Sequence, residues 1–206
     1  MNSSLNYLDK MINWETQWEN FAPNFYEGKA HIDLSPHGTL LLIPGEGFGD
    51  CSHSTTRLML ELMKPHVQNR IILDIGCGSG ILSLASLFLG AKKAYGVDID
   101  SAAILHAKKN AALNHLDKKA HFSRKYKAPT TDAIVLMNMI FSEQKIAFKS
   151  HNAYVFDKLI TSGILSDQRD SYLNWTTKVG WKLLDEKSEG NWLGFIFETI
   201  HKERTC

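Results

Sequence analysis

One stretch constrains this chain more than any other: LDIGCGSGIL, Leu73 to Leu82, where an apolar run breaks into alternating glycines and resumes as an apolar helical pattern. The run RIILDIG that leads into it has no polar face, which suits a strand buried on both sides in a parallel sheet. Glycines let the backbone turn sharply at the carboxyl end of such a strand. The helix that follows then presents unpaired N–H groups to a ligand.

The pattern around this stretch repeats it. SGILSLASLFLG reads as a helix stopped by Gly90, KAYGVDI as a second strand, and SAAILHAKKNAALNH as a helix capped by Asp100 or Ser101. AHFS, DAIVLMNM and KLITSGI read as further strands, SDQRDSYLNWTTKVG as a helix, and WKLLDEKSEGNWLGFIFETI as two strands around a SEGN turn. Strands alternating with helices build right-handed βαβ units. The expected fold is therefore α/β and Rossmann-like, a mostly parallel central sheet with an antiparallel C-terminal strand pair. Ahead of it, Leu5 to Phe21 reads as a peripheral helix ended by Pro23, KAHIDL and GTLLLI as a hairpin across SPHG, and TTRLMLELMKPH as a helix. Trp14 and Trp18 are expected on the flank of the main domain, and Trp175, Trp181 and Trp192 in core or edge packing.

A length of 206 residues suits one domain with a short appendage, here divided as residues 1–28, a helical linker-like segment, and 29–206, the main domain. Such a domain buries roughly 70% of its unfolded surface and needs no disulfide or metal staple. The 23 Lys and Arg against 22 Asp and Glu give no reason to expect nucleic acid as a partner. The seven Lys and Arg between His106 and Lys127 read as a solvated helix face and loop. Cys51, Cys77 and Cys206 form no C-x-x-C pair, so neither a zinc site nor a disulfide framework is expected. The N-terminus has no apolar core of a signal peptide, and the longest apolar stretches are too short to span a bilayer. A cytoplasmic location is the expectation, with no membrane partner; the oligomeric state is not encoded legibly.

The glycine loop carries the chemistry. Gly76, Gly78 and Gly80 are spaced G-x-G-x-G, where a dinucleotide fingerprint has G-x-G-x-x-G. Asp74 stands two positions ahead of the first glycine, where it would repel a diphosphate and accept hydrogen bonds from a cationic amine or from backbone donors. Asp98 ends the next strand about twenty positions on, where a carboxylate can accept both ribose hydroxyls. An amine-bearing nucleoside without a diphosphate meets these requirements, and S-adenosylmethionine fits that description. The bland alternative is tight strand-to-helix packing with solvated acids.

With these motifs in place, the chain from about Asn13 onward resembles PrmA, the large-subunit ribosomal protein lysine methyltransferase family within the class I S-adenosylmethionine-dependent methyltransferases. The segments that carry the resemblance are NWETQWENFAPNF, PGEGFGDCSHSTT, LDIGCGSGILSLASLFLGAKKAYGVDID, MNMI and SGILSDQ, in the family's order. It implies that Phe48, Gly49, His53, Thr55 and Thr56 cover the methionine end of the cofactor. Asp74, Gly76, Gly78 and Gly80 would hold its amino acid part and ribose side, and Asp98 its ribose. Asn138 would face the methyl acceptor. The implied reaction is methyl transfer to an amine nitrogen, a protein lysine or terminal amine, with a ribosomal protein as partner. Aligning a neutral amine with the methyl group is the main requirement, so a dedicated base can be missing.

Several features depart from the family pattern. The family carries an N-terminal domain that recognises the substrate, and only a few residues precede the linker-like segment here. Asp50 and Cys51 replace a small hydroxyl and a glycine, which places Asp50 where it could pair with or repel a bound cofactor. AHFSRKYKAPTTDA lacks the expected Gly-Ser. The alternative functions are a noncatalytic cofactor-binding or interaction module on the same fold, or a methyltransferase acting on a small molecule. Taken alone, His53 reads as a surface or capping histidine, and Cys51 with His53 is rejected both as a metal pair and as a nucleophile with its base.

Overall fold

A computed structural model describes residues 13–125, 133–151 and 158–199. The chain enters through α1 (Trp14–Phe21), whose N-cap Asn13 accepts the Thr16 N–H at 3.1 Å. Trp18 is the buried residue of this helix and sets its ring edge against His106, 5.8 Å between centroids. A small antiparallel sheet follows: β1 (Phe25–Tyr26), β2 (Lys29–Asp33) and β3 (Thr39–Leu42). The expected hairpin is β2 and β3; β1 adds a short strand that the sequence pattern does not signal. The N-terminal part of the expected first helix lies outside the described residues.

The central sheet has seven strands. β4 (Ile71–Ile75), β5 (Lys93–Val97), β6 (Ala120–Ser123), β7 (Ala133–Asn138) and β8 (Lys158–Leu165) run parallel, and β9 (Trp181–Glu189) and β10 (Trp192–Thr199) are antiparallel. Their order is β6-β5-β4-β7-β8-β10-β9. The chain builds outward from β4 in one direction, then crosses back to place β7 on its other side. That reversal opens a crevice at the carboxyl ends of β4 and β7, the place where an α/β sheet binds ligands. The mostly parallel sheet with its antiparallel C-terminal pair agrees with the expected fold.

Strand alternation divides the core in two. In β4, Ile72 belongs to one buried cluster and Leu73 and Ile75 to the other; in β7, Ile134 and Leu136 go one way and Val135 and Met137 the other. The first cluster takes residues of α2 (Ser54–Met63), α3 (Ile81–Phe88) and α4 (Ser101–Leu113), the second those of α5 (Phe141–His151) and α6 (Arg169–Lys178). α5 is not legible in the sequence. Its apolar residues fall on two faces, Phe148 buried in the second cluster and Ile146 67% exposed, so no single stripe forms. Trp181 is fully buried, and Trp175 packs against the same cluster through Phe148. Lys108, Lys109, Lys118, Lys119, Arg124 and Lys125 are exposed, while Lys127 lies outside the described residues.

Candidate active site

The site is assembled by two loops that touch through their backbones. Between β3 and α2, residues 43–53 run beneath the glycine loop that joins β4 to α3. Ser79 N–H donates to the Phe48 carbonyl at 2.8 Å, and the Ser79 hydroxyl donates to the Gly49 carbonyl at 2.5 Å. The approach leaves no room for side chains. A Cβ on Gly47 would lie 2.5 Å from the Gly78 carbonyl carbon, and one on Gly78, at φ 52°, only 2.4 Å from the Phe48 oxygen. Glycine is required at both positions by contact with backbone, which cannot move aside.

Above these loops lies a cavity of about 660 Å³, within the roughly 300–1,000 Å³ usual for small-molecule sites. Of the residues expected from the sequence, Phe48, His53, Thr55, Gly76, Gly78, Asp98 and Asn138 line it. Gly49, Thr56, Asp74 and Gly80 stand behind the wall. Gly49 faces Ile81, and Gly80 packs against Ala107 and Phe122. Thr56 is fully buried, its hydroxyl accepting from the Asn138 side-chain amide at 3.3 Å.

Asp74 is 1% exposed and lies on the α3 face of the sheet because Leu73 and Ile75 occupy the opposite one. Its Oδ2 accepts the Ser83 N–H at 3.1 Å and the Ser83 hydroxyl at 2.7 Å, which ties the carboxylate to the start of α3. Burial pushes this carboxyl up to about 6 against the opposing pull of the Ser83 bonds. Asp98 reaches the cavity. Its Oδ2 accepts the Gly78 N–H and its Oδ1 the Asp100 N–H, each at 3.0 Å, which fixes the carboxylate plane. Asp100 also proves to be the cap of α4, accepting the Ala102 N–H at 2.8 Å.

His53 caps α2: its Nδ1 accepts the Thr55 N–H at 3.3 Å and lies 2.9 Å from the Thr55 hydroxyl. Its ring sits edge-on between Phe48 at 5.8 Å and Trp192 at 5.1 Å. Trp192 therefore lines the cavity instead of packing only as an edge residue, a role with no signal in its local sequence. Neighbouring Glu189 is held by Arg57, whose guanidinium also donates to the Cys51 and Ser52 carbonyls, so the β9–β10 hairpin is tied to the loop ahead of α2. Asp50 spends its carboxylate locally, Oδ1 accepting from the Ser52 N–H at 2.9 Å and hydroxyl at 2.6 Å. It is not among the lining residues, because this turn draws it aside. Burial pushes the Cys51 thiol up to about 11, far from a thiolate nucleophile.

Sequence reasoning missed the remaining wall. Ile75, Val97, Ile99 and Ala103 give it an apolar side beside Asp98, and Glu46 and Glu143 add acid. Only their positions at strand ends and helix starts bring them together. These residues fit S-adenosylmethionine. Glu46, Asp98, Asp100 and Glu143 against Arg124 favour a cationic ligand over a diphosphate, the apolar wall suits a purine, and the glycine cradle admits a ligand against backbone. Among the described residues, no group of three or more His, Cys, Asp or Glu side chains is placed to hold a metal ion, and no helix is long and apolar enough to cross a membrane.

Comparison with known proteins gives the same direction. The family model for ribosomal protein L11 methyltransferase (PrmA) matches residues 12–199. The ribosomal protein L11 methyltransferase of Synechococcus elongatus is 30% identical over 94% of this chain and 70% of its own length. That of Prochlorococcus marinus is 29% identical over 87% of this chain and 66% of its own length, so the chain spans about two thirds of these relatives. Among solved structures, the ribosomal protein L11 methylase of Lactobacillus delbrueckii subsp. bulgaricus superposes with a TM-score of 0.69 at 21% identity. It covers 83% of this chain and 99% of that one, a likeness of fold.

Proposed function

Because the chain belongs to the ribosomal protein L11 methyltransferase (PrmA) family, we propose that it is an S-adenosylmethionine-dependent methyltransferase acting on an amine nitrogen of a ribosomal protein, a lysine side chain or terminal amine, in the cytoplasm. The observation that carries the reading is the placement of Asn138 at the carboxyl end of β7, on the wall of the same cavity that Asp98 enters from β5. When bound, S-adenosylmethionine supplies an electrophilic methyl group on a sulfonium.

The chain's own residues do the rest. Asp98, its carboxylate plane set by two backbone N–H groups, accepts the ribose hydroxyls. Gly76 and Gly78 let the ligand lie against the main chain, and the buried Asp74 beneath them adds negative charge that favours a cationic ligand. Asn138 donates its amide N–H to Thr56, which leaves its carbonyl oxygen as the acceptor for the N–H of an incoming amine. Phe48, His53 and Trp192 form an aromatic rim on one side of the cavity. A neutral amine held by Asn138 in line with the methyl group needs alignment more than proton abstraction. The 1–28 segment is part of the same proposal as a linker-like arm, with 29–206 as the methyltransferase domain.

The test is transfer of tritiated methyl from S-adenosylmethionine to ribosomal proteins of a cell extract. Labelling of a protein band that Asn138→Ala abolishes is the expected result. Unlabelled protein together with a labelled small-molecule fraction would overturn the protein-amine reading.

A further inference from the structure

α4 and its C-cap carry a row of polar side chains, His106 and Asn110 in the helix and Asn114 at the cap, each four positions apart. Each bonds the backbone of β3 or of the segment that leaves it. The Asn114 side chain accepts the Leu41 N–H at 2.9 Å and donates to the Leu41 carbonyl at 2.6 Å, as a neighbouring strand would. Asn110 accepts the Ile43 N–H at 3.0 Å and donates to the Ser79 carbonyl at 2.9 Å, which joins the β3 exit to the glycine loop. His106 completes the row. Its Nδ1 lies 3.1 Å from the Gly47 N–H, which has a proton to give, and its Nε2 lies 2.7 Å from the Ile43 carbonyl, which has none. Only the neutral ring protonated at Nε2 satisfies both. Packing leaves no slack, since a Cβ on Gly45 would meet the imidazole at 2.7 Å.

We propose that His106 is a positioning residue for the cofactor site: as a neutral imidazole it clasps residues 43–47 and so holds Glu46, Gly47 and Phe48 in the cavity wall, and its protonation releases that wall. Glu46, Gly47 and Phe48 line the cavity, whereas His106 does not touch it, so the residue acts through Gly47. A proton on Nδ1 would face the Gly47 N–H, donor against donor, at hydrogen-bond distance. The charged groups that face the ring are Lys109 from α4 and Glu46 from the clasped loop, and α1 presents the edge of Trp18. Burial first, and Lys109 second to it among the opposing influences, hold the imidazole below its ordinary range, while the Ile43 carbonyl and Glu46 pull the other way. The folded pKa is thus depressed. The clasp is complete above the unfolded value of about 6.5 and is lost as pH falls through the folded one.

The inference rests on the cavity being the cofactor site, and its test separates the two. The Gly47 amide resonance of the full chain, followed by NMR from pH 8 to 5, needs no ligand. It is expected to titrate together with the His106 ring protons. In parallel, S-adenosylhomocysteine affinity is measured by calorimetry at both ends of that range. Asp74 titrates there too, so the decisive comparison is with His106→Asn, whose side-chain oxygen takes the place of Nδ1 and cannot be protonated. Wild type is expected to lose at least fivefold more affinity on acidification than His106→Asn, and His106→Leu to bind weakly at every pH. A Gly47 amide indifferent to His106, or equal pH slopes in wild type and His106→Asn, would overturn the clasp even with the cofactor bound. Failure to bind S-adenosylhomocysteine with a titrating Gly47 amide would leave the clasp standing and remove the cofactor reading.

Discussion

Asn138 and Thr56 are joined by a hydrogen bond of 3.3 Å across 82 positions of sequence, from the end of β7 to the first turn of α2. The bond orients the amide, with its nitrogen toward Thr56 and its oxygen turned away from it. Under the proposed function, Thr56 then serves the acceptor side through Asn138 rather than covering the cofactor itself.

Removing the Thr56 hydroxyl frees the amide to flip and leaves its nitrogen without a buried partner. Thr56→Val is expected to lower kcat about fivefold to tenfold, the effect of roughly 1–1.4 kcal/mol, with cofactor affinity nearly unchanged. Thr56→Ser should restore most of the rate. Steady-state kinetics with calorimetry checks both; an equal loss in cofactor affinity would return Thr56 to the cofactor wall.

Asp98→Ala removes a carboxylate already aligned by the Gly78 and Asp100 N–H groups. Loss of charged hydrogen bonds should cost roughly 1.5–3 kcal/mol, about tenfold to a hundredfold in affinity for S-adenosylmethionine. Calorimetric titration measures it, and unchanged affinity would place the ribose elsewhere.

Gly47→Ala puts a methyl 2.5 Å from backbone atoms of Gly78 and Ser79, so the two loops must part. We expect cofactor affinity to fall by more than about tenfold while the far-UV spectrum stays that of the wild type, because the clash lies in loops and not in the sheet. Wild-type affinity in this variant would show that the loops separate without cost to the site.

Asp74 has a linked stability signature. Its folded value of about 6 lies above the ordinary 3.8, so the stability it contributes is complete below 3.8 and drains away as pH rises through about 6. Asp74→Asn keeps an acceptor for Ser83 without the buried charge. Without ligand at pH 7.5 its melting temperature should rise by roughly 3–8 °C, while the gain vanishes below about pH 4. Scanning calorimetry at the two pH values decides; a lower melting temperature at pH 7.5 would mean that Asp74 is ionised at no cost. Cofactor binding should weaken in the same variant.

Much of this was legible in the chain. The strand, glycine loop, helix and second acid from Ile71 to Asp98 are a local pattern, since backbone turning and alternation depend on near neighbours, and they carried both the fold class and the cofactor. The first helix of the main domain, the hairpin before it and the closing antiparallel pair were readable for the same reason. α5 was not, because its Phe148 and Ile146 serve different surroundings. Nor was Trp192, which lines the cavity at the start of β10, where the Arg57–Glu189 pair ties the last hairpin to the loop ahead of α2.

Period and glycine spacing, set by the backbone, and carboxylates and amides, set by composition, are thus enough to name the residues that could do the chemistry. Tertiary structure decided which of them reach the cavity. Strand parity turned Asp74 toward α3, an Asx turn drew Asp50 aside, and helix-to-loop hydrogen bonds gave His106, otherwise one histidine at the head of a basic stretch, a grip on Gly47. Those outcomes depend on contacts between distant segments, and such contacts exist only once the sheet has closed its order around β4.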